Sequence, residues 1–142
     1  MATALSESKS ESTWQVRRLA GALGAEVTGV DLANATAEDA ERVKSLLLEH
    51  LVLFFPGQQI TTEQHIAFGR YFGRLEGHPN LTNATAYPEI FELKASAGGV
   101  ADEWHTDITF DPQPALMSIL HMMKCPSVGG DTMWTSLYAA YD

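Results

Sequence analysis

The sequence predicts an α+β fold in which an antiparallel barrel or jelly roll is flanked by two helices. Two segments in the first half have the apolar spacing and the capping residues of amphipathic helices. The second half instead holds short apolar segments separated by loops rich in glycine, proline and asparagine. It lacks the strand–helix alternation of a doubly wound parallel sheet, which favours an antiparallel arrangement of its strands.

Ordered structure is predicted to begin near Trp14. Residues 1–12 are polar and alternate serine with charged side chains, so we expect a disordered tail ahead of one domain over residues 13–142. Two short strands are then predicted in "WQVRRL" and "AEVTGVDL", with glycines between them that suit a hairpin-like opening.

The first helix is predicted over "TAEDAERVKSLLLEH". Thr36 is a suitable N-cap residue, and Asp39 lies three positions later in an acidic first turn. Apolar residues recur at helical spacing and predict the buried face of this helix, namely Ala40, Val43, Leu46 and Leu47.

A buried strand in "LVLFF" and a second helix are predicted next. Thr61 and Gln64 match a capping box, so the helix should start at Thr61 or the residue after it. Gly73 can adopt the left-handed conformation that ends many helices, and we expect the helix to end there.

The second half is predicted to supply further strands of the barrel. They are expected at residues 90–94, 104–110, 115–123 and 132–136. Ser136 is then placed to cap a helix that opens with "LYAAYD".

His105 and Asp107 lie two positions apart in "DEWHTDITFD". Residues spaced by two along a strand project from the same face, so one imidazole and one carboxylate can reach the same metal ion. Two histidines and one carboxylate, with open coordination positions, are the ligand set of non-haem Fe(II) oxygenases. Taken alone, His-x-Asp is a weak motif that also occurs as a surface ion pair.

Further motifs surround this pair along the chain, in the order "GAEVTGVDL", "LVLFFPGQQIT", "FGRLEGHP", "WHTDITF" and "PSVGGDTMWTS". Together they resemble the taurine dioxygenase family of Fe(II)- and 2-oxoglutarate-dependent oxygenases, which includes alkylsulfate and phenoxyacetate dioxygenases. The resemblance extends from about Val16 to the end of the sequence. It implies a double-stranded β-helix, or jelly roll, with flanking helices.

The resemblance implies a role for four side chains. His105 and Asp107 match the first two iron ligands, and no catalytic residue is implied beyond the metal site. Thr132 matches the hydroxyl that hydrogen-bonds a carboxylate of 2-oxoglutarate. His78 matches a histidine that contacts the anionic head group of the substrate. The implied cofactor is Fe(II), with 2-oxoglutarate and O₂ as co-substrates that yield succinate and CO₂.

Two departures from the taurine-specific pattern affect the implied substrate. Leu81 occupies the place of an aromatic residue, and Ala101 the place of a substrate-contacting asparagine. Both changes remove contacts to a small zwitterion, and a site without these partners discriminates less well for taurine. The resemblance therefore implies a small anion, which is a sulfonate such as taurine, an alkyl sulfate or an aryloxy carboxylate.

Family members continue to a distal histidine, the third iron ligand, and to an arginine that pairs with 2-oxoglutarate. The sequence reaches Asp142 before either, so we expect the jelly roll to be incomplete at its C-terminus and the chain to be incomplete for activity. The alternative is that the chain is a catalytically incompetent fragment that acts as a folded or interaction module. Half of a jelly roll would expose sheet edges and apolar faces, which homo-oligomerisation could cover. A cupin-like metal protein using other histidines is a third hypothesis, which their spacing does not support.

Charge and composition limit the classes of binding partner and the cellular location that we expect. The net charge of −9 disfavours nucleic acid and anionic membranes, whereas local basic groups can still bind a small anion. Cys125 is the single cysteine, so no internal disulfide is expected. The N-terminal residues lack the features of a signal peptide and no apolar run could span a bilayer, so a cytoplasmic location is expected.

Overall fold

A computed structural model describes residues 14–77, 86–93 and 103–142. The tail predicted over residues 1–12 lies outside them. The strands are β1 (Gln15–Arg18), β2 (Ala25–Thr28) and β3 (Leu53–Phe54), and the α-helices are α1 (Ala37–His50), α2 (Thr62–Arg70) and α3 (Leu137–Tyr141), with a 3₁₀ turn at Leu32–Asn34. Within this described part, no helix has the length and apolar character needed to cross a membrane.

The three strands form one sheet in the order β1-β2-β3. β1 and β2 are antiparallel, with Val16 opposite Val27, which confirms the predicted hairpin. β2 and β3 are parallel, with Ala25 opposite Leu53. Two parallel neighbouring strands need a long crossover connection. Here α1, which lies between β2 and β3 in the chain, belongs to that connection.

The predicted N-cap at Thr36 and the predicted capping box at Thr61 are confirmed, and Thr36 also forms a capping box. Thr36 accepts a hydrogen bond from the Asp39 amide at 3.2 Å, and the Asp39 carboxylate accepts one from the Thr36 amide at 2.8 Å. Thr61 and Gln64 make the same reciprocal pair at the start of α2, at 3.2 and 2.8 Å. These bonds satisfy N–H groups that a helix start otherwise leaves unpaired.

The predicted end of α2 at Gly73 is wrong by three residues, since the helix ends at Arg70. The amides of Tyr71 and Phe72 donate to carbonyls three positions back, at 3.2 and 3.0 Å. A tightened last turn of this kind satisfies the terminal carbonyls before the chain reaches the glycine.

The hydrophobic core lies between the sheet, α1 and α2. Its buried members are Val27, Val30, Leu32, Val43 and Phe68. The Gln58 side chain closes one edge, because its oxygen accepts from the Leu32 amide at 2.9 Å and its nitrogen donates to the Val30 carbonyl at 3.1 Å. Ile119, from the second half, packs against the same cluster.

The strands predicted in the second half are wrong wherever the structure describes them. Residues 90–93, 104–110, 115–123 and 132–136 contain turns, bends and extended backbone, with no strand. A strand requires a hydrogen-bonded neighbour, and at Ile108 a positive φ of 51° turns the chain instead. α3 does begin as predicted, with the Ala139 amide donating to the Ser136 hydroxyl at 3.3 Å.

The described residues therefore combine helices with a small mixed sheet, as the α+β prediction requires. The jelly roll stays a prediction, because its strands would come from the segments that are irregular here.

Candidate metal site

A compact turn, rather than a strand, brings His105 and Asp107 together. His105 Nε2 lies 3.4 Å from Asp107 Oδ1. Within the turn, the hydroxyls of Thr106 and Thr109 are hydrogen-bonded at 2.7 Å, and Ile108 adopts a φ of 51°. The two side chains that the sequence pairs are thus neighbours, although by a different local geometry.

The second ring nitrogen of His105 has a partner of its own. Nδ1 lies 2.9 Å from the backbone carbonyl of Glu103. A carbonyl only accepts, so Nδ1 carries the hydrogen when the ring is neutral and Nε2 keeps its lone pair. Metal-binding histidines commonly donate their other N–H to a carbonyl in this way, which fixes the ring and its tautomer.

The Asp107 carboxylate is oriented by a residue from another segment. The Ser118 hydroxyl donates to Asp107 Oδ2 at 3.0 Å. That contact occupies one oxygen and leaves Oδ1 directed at His105 Nε2. The two atoms nearest each other are therefore the two that remain available as ligands.

The separation of 3.4 Å between Nε2 and Oδ1 would allow both atoms to bind one metal ion. Nitrogen and oxygen ligands lie about 2.0–2.2 Å from a bound ion, so two of them on one ion are roughly 3 to 3.5 Å apart. The side chains of His105 and Asp107 are 65% and 63% exposed, which leaves room for further ligands. Among the described residues, no set of three or more His, Cys, Asp or Glu side chains is arranged to hold a metal. The structure thus brings together two donors.

Of the other predicted site residues, Thr132 lies within the described part of the chain. Thr132 is exposed, and no hydrogen bond between described residues joins it to His105 or Asp107. Its segment is attached to the sheet, since the rings of Trp134 and Phe54 meet edge to face at 5.4 Å. His78, Leu81 and Ala101 lie outside the described residues.

His65 connects α2 to the segment that carries Ser118. His65 Nε2 lies 3.1 Å from the Ile119 carbonyl, and the His121 ring lies 6.0 Å away. Burial lowers the pKa of His65, the Ile119 carbonyl opposes this effect, and the nearby His121 adds to it. This contact could not be predicted from the sequence, because His65 and Ile119 are 54 residues apart along the chain.

Residues 86–93 are also held against α2. The Tyr87 hydroxyl donates to the Glu63 carboxylate, which lowers the pKa of Glu63 and raises that of Tyr87. Arg70 and Glu89 form an ion pair at 3.9 Å. α2 thus contacts two separate segments of the second half, through His65 on one side and through Glu63 and Arg70 on the other.

Comparison with known proteins gives a match along nearly the whole chain. The family model described as "Taurine catabolism dioxygenase TauD, TfdA family" matches residues 15–142. An alkylsulfatase of Acinetobacter baylyi is 40% identical over 131 residues, covering 90% of this chain and 41% of that protein. An alpha-ketoglutarate-dependent sulfate ester dioxygenase of Pseudomonas putida is 34% identical over 128 residues, covering 89% and 42%.

Among solved structures, a taurine dioxygenase from Burkholderia xenovorans is 36% identical, with a TM-score of 0.48. The match covers 54% of this chain and 28% of that one. The present chain spans about two fifths of the length of the two curated relatives, 41% and 42%.

Proposed function

Because the chain belongs to the taurine catabolism dioxygenase TauD, TfdA family, we propose that it supplies two iron ligands of an Fe(II)- and 2-oxoglutarate-dependent dioxygenase. The observation that carries the proposal is the 3.4 Å approach of His105 Nε2 to Asp107 Oδ1. The remaining polar atom of each side chain is already bound to Glu103 or Ser118. The same proposal includes the jelly roll, which rests on family membership.

The proposed substrate is a small organic anion. Two relatives are named as enzymes of alkyl sulfates or sulfate esters, and a third is an (S)-phenoxypropionate dioxygenase of Delftia acidovorans, 30% identical over 146 residues. We place sulfate esters first among these anions, ahead of sulfonates and aryloxy carboxylates. Leu81 and Ala101 disfavour taurine itself, because neither side chain offers the contacts that the taurine-specific pattern makes to a small zwitterion.

The proposal assigns a role to each of four side chains. His105 and Asp107 hold Fe(II), which, when bound, supplies O₂ activation coupled to the oxidative decarboxylation of 2-oxoglutarate. Thr132 donates its hydroxyl to a carboxylate of 2-oxoglutarate, and His78 binds the anionic head group. The Glu103 carbonyl keeps the His105 ring in the tautomer that presents Nε2 as a ligand.

Anaerobic addition of Fe(II) and then 2-oxoglutarate tests the proposal. We expect the chain to develop the weak visible charge-transfer band of iron chelated by a 2-oxo acid. His105→Ala and Asp107→Ala should lose both the band and Fe(II) binding, whereas Thr132→Ala should keep Fe(II) and bind 2-oxoglutarate less tightly. Glu103→Gln is the matched control, since it removes a neighbouring carboxylate while leaving the carbonyl that contacts His105.

Fe(II) binding that survives both alanine substitutions would contradict the assignment of the ligands. A chain that gives no band, while an extended form of it does, would instead support the alternative of a fragment that acts as an interaction module.

A further inference from the structure

We propose that Ser118 is a positioning residue that sets the orientation of the Asp107 carboxylate for metal binding. The inference rests on the proposed function, because it assumes that His105 and Asp107 share one ion. Its basis is the hydrogen bond of 3.0 Å from the Ser118 hydroxyl to Asp107 Oδ2.

Asp107 needs such a partner because of where it lies. Its side chain is 63% exposed and stands in a turn, without the ladder of a sheet to limit its backbone. A carboxylate in this setting rotates broadly about its terminal bond. The hydrogen bond to Oδ2 selects the orientation in which Oδ1 faces His105 Nε2. Metal binding then costs less conformational entropy, because the carboxylate is already ordered.

Ser118 can fix Asp107 because Ser118 is itself tied to the core. The next residue, Ile119, packs against the buried cluster that contains Phe68. The Ile119 carbonyl also contacts His65 Nε2 of α2 at 3.1 Å. A continuous set of contacts therefore runs from α2 through Ile119 and Ser118 to the exposed carboxylate.

A purely structural role for Ser118 makes a different prediction. The turn has its own internal hydrogen bond, between Thr106 and Thr109 at 2.7 Å, which involves neither ligand. If Ser118 only stabilised the turn, breaking the threonine bond would impair metal binding as much as removing the Ser118 hydroxyl. If Ser118 orients the carboxylate, the two changes should differ.

Co(II) is a suitable probe, because its visible spectrum reports the ligand arrangement as well as affinity. The whole 142-residue chain would be titrated as wild type, Ser118→Ala, Ser118→Thr, Thr109→Ala and His105→Ala. We expect Ser118→Ala to weaken Co(II) binding roughly 10-fold, the lower end of what outer-shell partners of metal ligands contribute, and to change the spectrum. Ser118→Thr keeps the hydroxyl and should restore both affinity and spectrum, and Thr109→Ala should weaken binding less than Ser118→Ala.

Three outcomes would overturn the inference. If Ser118→Ala binds Co(II) as the wild type does, while His105→Ala does not, the positioning role fails and the metal site stands. If Ser118→Thr is as weak as Ser118→Ala, or Thr109→Ala equally weak, the effect belongs to the turn. If wild type and His105→Ala bind Co(II) alike, the metal site fails and the positioning role with it.

Discussion

Residues 14–77 and residues 103–142 differ in what holds them in place. The first region packs Val27 at 0% and Phe68 at 4% exposure beneath regular helices and strands. Within the second region, as described, Ser136 is the one buried residue, and large apolar side chains such as Phe110 (72%) and Met123 (82%) are exposed. The better packed region is thus the one without the candidate ligands, which lie in the more exposed one.

The difference shows how site geometry can persist where regular structure does not. His105 and Asp107 meet through a turn and through contacts to Glu103 and Ser118, and none of these requires a strand. The link to the packed region runs through Ile119. The first region therefore supports the segment that carries the candidate ligands.

Truncating one phenylalanine in each region should give the largest difference in the free energy of unfolding between the two regions. Phe68→Ala removes a buried ring that also packs edge to face on Phe72 at 5.1 Å, and we expect it to lower the free energy of unfolding by about 3–5 kcal/mol. Phe110→Ala, at an exposed site, should change it by less than about 0.5 kcal/mol. Urea denaturation followed by far-UV circular dichroism measures both, and equal losses would contradict the contrast.

Cap removal should have a smaller effect. Thr36→Ala deletes the acceptor for the Asp39 amide at the start of a 14-residue helix, and should cost about 1 kcal/mol of stability in the same urea experiment. Ser136→Ala removes the equivalent bond from the five-residue α3, which packs no buried residue. Its effect on global unfolding should be close to zero, and a loss as large as that of Thr36→Ala would show that α3 belongs to the same cooperative unit.

A pH titration should reveal how much the contact between His65 and Ile119 contributes to stability. Since burial lowers the folded-state pKa of His65, the unfolded chain binds a proton there at higher pH than the folded chain. The stabilising contribution of neutral His65 is then complete above about pH 6.5, the ordinary imidazole value, and is lost as the pH falls towards the folded-state pKa. His65→Gln keeps an N–H donor for the Ile119 carbonyl but does not titrate.

The measurement is the melting temperature of both proteins between pH 7.5 and about 5, a range that brackets the ordinary imidazole pKa. The wild type should lose more stability on acidification than His65→Gln. Parallel curves would show that His65 does not contribute to holding the second region against α2.

The sequence predicted the parts of the fold that are specified locally. The capping boxes at Thr36 and Thr61 depend on residues three positions apart, and both are present. The strands expected around residues 104–136 depend on partners that the pattern of one segment cannot reveal, and there the prediction was wrong. The proximity of His105 and Asp107 was predicted, although from an incorrect strand geometry, and their role as ligands stays a prediction.

Ser118 could not be found from the sequence because its contact with Asp107 spans 11 residues and crosses a turn. A serine within an apolar segment carries no pattern of its own, and only the fold shows which side chain it faces. The proposed roles of Thr132 and His78 came from family resemblance and stay predictions.

Paramagnetic broadening of the histidine NMR signals by substoichiometric Mn(II) tests whether His105 and Asp107 bind one metal ion. A metal shared by His105 and Asp107 should broaden the imidazole signals of His105 first, while those of His50, His65 and His121 stay sharp. Asp107→Ala should abolish this selectivity. Broadening of His50, His65 or His121 ahead of His105, or selective broadening of His105 that persists without the Asp107 carboxylate, would contradict the assignment of this pair as the metal site.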